Sequence, residues 1–87
     1  MRIWIKEIKD NHLIKDMVVE NKSDATRTHK IFDSLDKACD EWDISHPIWL
    51  DKNVREFSQL SRTKFYQDNF IDEIPFEYMD ISVIEED

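Results

Sequence analysis

Ile31-Phe32-Asp33-Ser34-Leu35-Asp36-Lys37-Ala38-Cys39-Asp40-Glu41-Trp42 is the stretch that decides the fold class. Its apolar residues Ile31, Phe32, Leu35, Ala38, Cys39 and Trp42 recur at steps of one, three, three, one and three, which winds them into one stripe of a 3.6-residue helix. Thr28 lies a turn earlier on that side, while Lys30, Asp33, Lys37, Asp40 and Glu41 fall opposite and are expected in solvent. Ser23 or Asp24, in the polar break Asn21-Lys22-Ser23-Asp24, can accept the free amide hydrogens at the helix start. Pro47 cannot continue the helix, which is predicted to end near Asp43.

A helix with one apolar stripe needs a sheet to cover, and the flanking sequence supplies strands. From Arg2 to Lys9, Ile3 and Ile5 alternate with Trp4, Lys6 and Ile8. Asp10-Asn11 is a turn without glycine, and Leu13 to Glu20 is a second strand, with Leu13, Met17 and Val19 on one face and Ile14 and Val18 on the other. After the helix, Ile48-Trp49-Leu50 is a short extended plug of the core. Asp51 is then placed to cap a second helix carrying Val54, Phe57 and Leu60, which could run on to Lys64. Ser61 to Asn69 fits neither period and is expected to be a structured loop or an irregular helical turn. Phe76 to Ile84 alternates again, with Met79, Ile81 and Val83 directed at the long helix. Glu85-Glu86-Asp87 is expected to fray.

The predicted fold is therefore α+β: an antiparallel three-stranded sheet, in the order β-β-α-(short extended)-α-β, packed against a long amphipathic helix. Residues 1–87 form a single domain, because a chain this short can close only one core. Trp4 and Ile8 from the first strand, with Ile14 and Val18 from the second, would then lie on the other side of the sheet. Such residues call either for coverage by the second helix or for a partner.

Composition narrows the function. There is no glycine, which excludes the glycine-dependent phosphate loops and moves positive-φ duty to asparagine or aspartate, such as Asn11, Asn21, Asn53 or Asn69. Cys39 is the one cysteine, so neither an internal disulfide nor a multi-thiolate metal site can form within one copy. With charges interrupting every apolar run, the chain reads as a cytoplasmic protein with no signal peptide and no membrane span. The net charge is −8, carried unevenly: residues 1–30 hold seven basic and five acidic side chains, residues 61–87 two basic and eight acidic. Such a field disfavours nucleic acid and anionic membrane as partners.

No pattern points to catalysis. His12, His29 and His46 include no pair one helical turn apart, as a zinc site would use. Cys39 sits on the apolar stripe near Asp36, Asp40 and Asp43, surroundings that disfavour a thiolate. Asp51 behind Trp49-Leu50 is the one carboxylate in an apolar setting, and capping explains it. The densest mixed cluster runs from Asp51 through Asn53 and Arg55 to Arg62-Thr63-Lys64-Phe65-Tyr66-Gln67-Asp68-Asn69. It is either a loop pinned by its own hydrogen bonds or a recognition edge in which Arg62, Lys64 and Tyr66 supply directional contacts.

Residues 24–32 (DATRTHKIF), Trp49-Leu50-Asp51, residues 63–70 (TKFYQDNF) and Val83-Ile84-Glu85-Glu86-Asp87 resemble segments of a group of short proteins from anaerobic gut-type bacteria, to which no activity is assigned. The resemblance spans nearly the whole chain and implies a self-contained bacterial cytoplasmic protein.

The expectation is thus a small cytoplasmic module that binds a protein partner or itself, without cofactor, metal or catalytic activity. Its candidate partner-binding residues are Trp4, Ile8, Ile14, Val18, Arg62, Lys64 and Tyr66. The alternative is an acidic nucleic-acid mimic that docks on a basic nucleic-acid-handling protein.

Overall fold

The computed structural model describes all of residues 1–87. Strands β1 (Arg2–Lys9) and β2 (His12–Glu20) form the expected hairpin, and helix α1 (Arg27–Glu41) follows. Helix α2 (Asp51–Leu60), strand β3 (Arg62–Phe65), a 3₁₀ turn (Gln67–Asn69) and strand β4 (Tyr78–Glu85) complete the chain. The sheet has four strands, not three, in the order β2-β1-β4-β3, with every neighbouring pair antiparallel. The added strand is Arg62–Phe65, in the stretch expected to be a loop or helical turn. Four residues are too few to display a period of two, and only β4 beside them makes them a strand.

Without glycine, the hairpin turns on Asp10 (φ 53°) and Asn11 (φ 63°), side chains that tolerate the left-handed region. The other positive-φ residues are Asp43 and Ser61, where the two helices end. Asn21, Asn53 and Asn69, expected in that role, do not take it. Asp43 closes α1: its N–H bonds the Asp40 carbonyl at 3.3 Å and the Ile44 N–H bonds the Cys39 carbonyl at 3.0 Å, so the last carbonyls are satisfied.

Both helices lie on the same side of the sheet. Ile31, Leu35, Ala38 and Cys39 of α1 and Phe57 of α2 share a core with Ile3, Ile5, Val19, Phe65, Met79 and Ile81. Of the expected plug Ile48-Trp49-Leu50 only Trp49 turns inward, its ring meeting Phe32, Phe57 and Phe65 edge-on at 5.6, 5.5 and 5.0 Å between centroids, while Ile48 and Leu50 are exposed. Val54 and Leu60, expected to face inward beside Phe57, are exposed, as are Thr28 and Phe32.

Several expectations of local chemistry are corrected. The α1 cap is Thr26, whose Oγ1 accepts from the His29 N–H, rather than Ser23 or Asp24. Asp51 is the first residue of α2, not its cap; the Leu50 N–H is instead satisfied by Asn53 Oδ1 at 3.1 Å. Lys30, placed in solvent by the helical wheel, is buried, with its Nζ 2.6 Å from Asp87. The tail does not fray. Asp87 also takes the Met1 ammonium at 2.6 Å, and Arg27 grips both Glu86 oxygens at 3.1 Å. These pairs hold β4 and α1 against the first residue of the chain.

Candidate functional site

The registers place all seven candidate partner-binding residues on one face. Ile3, Ile5 and Glu7 point toward the helices, so Trp4, Lys6 and Ile8 point away. Across the strands this gives three rows. The first is Val18, Trp4, Ser82, Arg62; the second is Asp16, Lys6, Asp80, Lys64. The third is Leu13, Ile8, Tyr78, with Tyr66 beside Tyr78 at 5.4 Å between ring centroids. A bulge opposite Glu7 and Ile8 leaves Ile14 between Leu13 and Lys15 without a cross-strand partner. That extra residue turns Leu13 to the outer face, away from Met17 and Val19, with which it was expected to align.

The second helix was one of two ways to cover this surface, and it does not. Leu13, Ile14, Val18 and Tyr66 remain exposed there, each between 40% and 49%. The sequence brought Trp4, Ile8, Ile14 and Val18 together through alternation alone. It could not join Arg62, Lys64 and Tyr66 to them, because that step needs β3 paired to β4.

The face is laced by its own polar contacts. Trp4 Nε1 donates to Asp16 Oδ2 at 2.9 Å, and the Lys6 ammonium sits 4.1 Å from the Trp4 ring centroid. Lys64 lies 4.8 Å from the Tyr78 centroid and Lys52 of α2 5.6 Å from that of Tyr66. Arg62 donates to Asp80 Oδ2 at 2.7 Å, while the other Asp80 oxygen is buried without a hydrogen-bond partner. Basic side chains absent from the rest of the C-terminal third are thus concentrated on this face. Lys6 and Tyr78, which sequence reasoning did not single out, belong to it; their positions in the alternating strands were the available signal.

On β3, the outward Lys64 carbonyl accepts from Asn53 Nδ2 at 2.9 Å, and the Tyr66 N–H bonds Asn69 Oδ1 at 3.0 Å. That edge is capped by side chains. Within the mixed cluster Asn53, Thr63 and Asn69 pin the loop from inside, while Arg62, Lys64 and Tyr66 face out.

Elsewhere the titratable groups serve the fold. Burial, helped by Asp36, Asp40 and Glu7, pushes the Cys39 thiol up to about 12. His46 bridges Asp36 and Asp40 with its two ring nitrogens at 2.9 Å each, tying the segment after α1 back onto the helix. Both nitrogens face carboxylates, an arrangement that suits the imidazolium; the Asp40 bond raises its pKa most, burial opposes it, and the negative charges of Asp36 and Asp40 add to the rise. The apolar groove between α1 and α2, floored by Ile31, Phe32, Trp49 and Phe57, holds ≈ 170 Å³, less than the ~300 Å³ typical of small-molecule sites. No helix is long and apolar enough to cross a membrane.

Comparison with protein-family models, with curated proteins and with solved structures finds no match to this chain.

Proposed function

We propose that the chain is a small cytoplasmic module without catalytic activity of its own, and that it binds a protein partner through the outer face of its sheet. One observation carries the reading. Four strands place Trp4, Ile8, Ile14, Val18, Arg62, Lys64 and Tyr66 on a surface that neither helix covers. Aromatic rings, an arginine and aliphatic side chains around paired charges are the mixture that protein interfaces use. The buried thiol of Cys39, poorly placed to act as a nucleophile, supports a binding role over a chemical one.

The nucleic-acid-mimic reading needs rows of free carboxylates at phosphate-like spacing. Glu85, Glu86 and Asp87, the densest acidic run, are engaged by Arg2, Arg27, Lys30 and the Met1 ammonium. The partner-binding reading therefore has the stronger support.

The test compares tagged wild-type protein with Val18→Asp and Tyr66→Ala on the outer face, and with Lys37→Glu on the solvent side of α1, each first shown to fold by circular dichroism. A protein retained by wild type and Lys37→Glu but lost by both outer-face variants is the expected result; the same chain under a second tag counts as such a protein. Retention indifferent to Val18 and Tyr66, or no retention at all, would sink the proposal.

A further inference from the structure

Resting on that reading, we infer that the occupant of the outer face is a second copy of this chain, packed sheet on sheet about a two-fold axis that runs along the strands between β1 and β4. In the middle row, Asp16, Lys6, Asp80, Lys64, the charges alternate from the β2 edge to the β3 edge. A two-fold axis parallel to the strands keeps each residue at its height and reverses the order of the columns. Beneath a second copy, β2 therefore faces β3 and β1 faces β4. The reversal of an alternating row of four places every charge opposite its opposite: Asp16 over Lys64 and Lys6 over Asp80, each twice.

The outer rows obey the same operation. The exposed Leu13 and Ile14 on the β2 side meet Tyr66 on the β3 side, and Ile8 meets Tyr78. Val18 meets the Arg62 stem and guanidinium, and Trp4 meets the small Ser82. The face divides into an aliphatic margin and a basic, aromatic margin, and only a reversed copy brings the two together. Like margins would meet under an axis perpendicular to the strands, which reverses the rows and leaves the columns in place. Asp16 and Lys64, at the margins, carry the direct contact between copies, because Asp80 is only 3% exposed and already paired with Arg62, so that Lys6 acts on it at longer range.

Packed sheets lie ~10 Å apart with strand directions within ~30°, a spacing that facing lysine and aspartate side chains span. Three strands of eight or nine residues and the four-residue β3, ~4.8 Å apart and rising ~3.3 Å per residue, make a face of roughly 450 Å² per copy. The two-copy total of about 900 Å² is below the ~1,200 Å² of stable specific interfaces and in the range of weak, transient ones, so the association is reversible. The general repulsion between two chains of −8 is screened beyond ~8 Å at physiological ionic strength, while the facing pairs lie within that distance.

Charge exchange tests the arrangement, since Asp16 and Lys64 sit on opposite edge strands and come together only between copies. Sedimentation velocity over a range of protein concentration at physiological salt is expected to show a monomer–dimer equilibrium for wild type. Asp16→Lys and Lys64→Asp should each weaken it by tenfold or more, and the double variant should recover most of the loss. Wild-type sedimentation as a monomer throughout overturns the dimer, as does a dimer indifferent to both single changes or a double variant no better than either single. Any of these results leaves the binding reading standing if the tagged protein still retains another protein through Val18 and Tyr66. A monomer that retains none and shifts a mixed-sequence single-stranded oligonucleotide overturns both.

Discussion

Asn69 Nδ2 donates to Asn53 Oδ1 at 2.8 Å, a buried amide-to-amide bond that joins the segment after β3 to the first turn of α2. Around it every valence is used. Asn53 Nδ2 donates to Thr63 Oγ1 and to the Lys64 carbonyl, each at 2.9 Å, and its Oδ1 also accepts from the Leu50 N–H. Asn69 Nδ2 reaches the Ile48 carbonyl at 2.8 Å. Thr63 Oγ1 donates to Glu56 Oε1 at 2.7 Å. This network holds the outer-face strand β3 in position, although neither asparagine belongs to the sheet.

Asn53→Ala should therefore destabilise the fold by about 2–4 kcal/mol, since it strands several buried donors and a carbonyl at once. The loss should show as a lower urea midpoint at an unchanged slope, with faster amide exchange in β3. A variant within ~0.5 kcal/mol of wild type would mean that water replaces the amide at no penalty.

Glu7 points into the core beside Met79 and Lys15, buried, with Oε2 lacking any hydrogen-bond partner. Burial raises its pKa, against a smaller lowering by Lys15. A carboxyl raised on folding is penalised once ionised, so stability declines as pH climbs from the unfolded pKa through the folded one. Glu7→Gln should raise the melting temperature at pH 7 and leave it nearly unchanged at pH 4, where the carboxyl is largely neutral. Equal shifts at the two pH values would show that charge is not the cause.

His46 carries the opposite sign. Its pKa is raised on folding, chiefly by the bond to Asp40, so the latch to Asp36 and Asp40 is fully present below the ordinary histidine pKa and lost as pH rises through the higher folded value. The pair is exposed, so its contribution is under ~1 kcal/mol and shrinks with salt. Titration of the ring by NMR should give a midpoint above ~6.5 that falls toward it in His46-retaining Asp40→Asn. A midpoint at or below the ordinary value in wild type would contradict the geometry.

Cys39 should resist alkylation in the native state at pH 8, because a thiol held at about 12 and fully buried offers almost no thiolate. Labelling by iodoacetamide should follow global unfolding, with the rate rising as urea approaches the midpoint. Rapid stoichiometric labelling without denaturant would place the thiol at the surface.

Periodic local signals were legible in the chain by itself. The 3.6-residue stripe made α1, alternation made β1, β2 and β4, and Asp10-Asn11 supplied the glycine-free turn, because each depends on neighbours within a few positions. Alternation also foretold that Trp4, Ile8, Ile14 and Val18 share a face. Tertiary structure decided the rest. Arg62–Phe65 is a strand only because β4 offers it a ladder, the Leu13–Ile14 bulge arises only in the paired register, and Lys30 is buried only because Asp87 arrives from the far end of the sequence. In each case the stabilising partner is distant along the chain, and no local pattern encodes a hydrogen bond or ion pair whose other half is elsewhere.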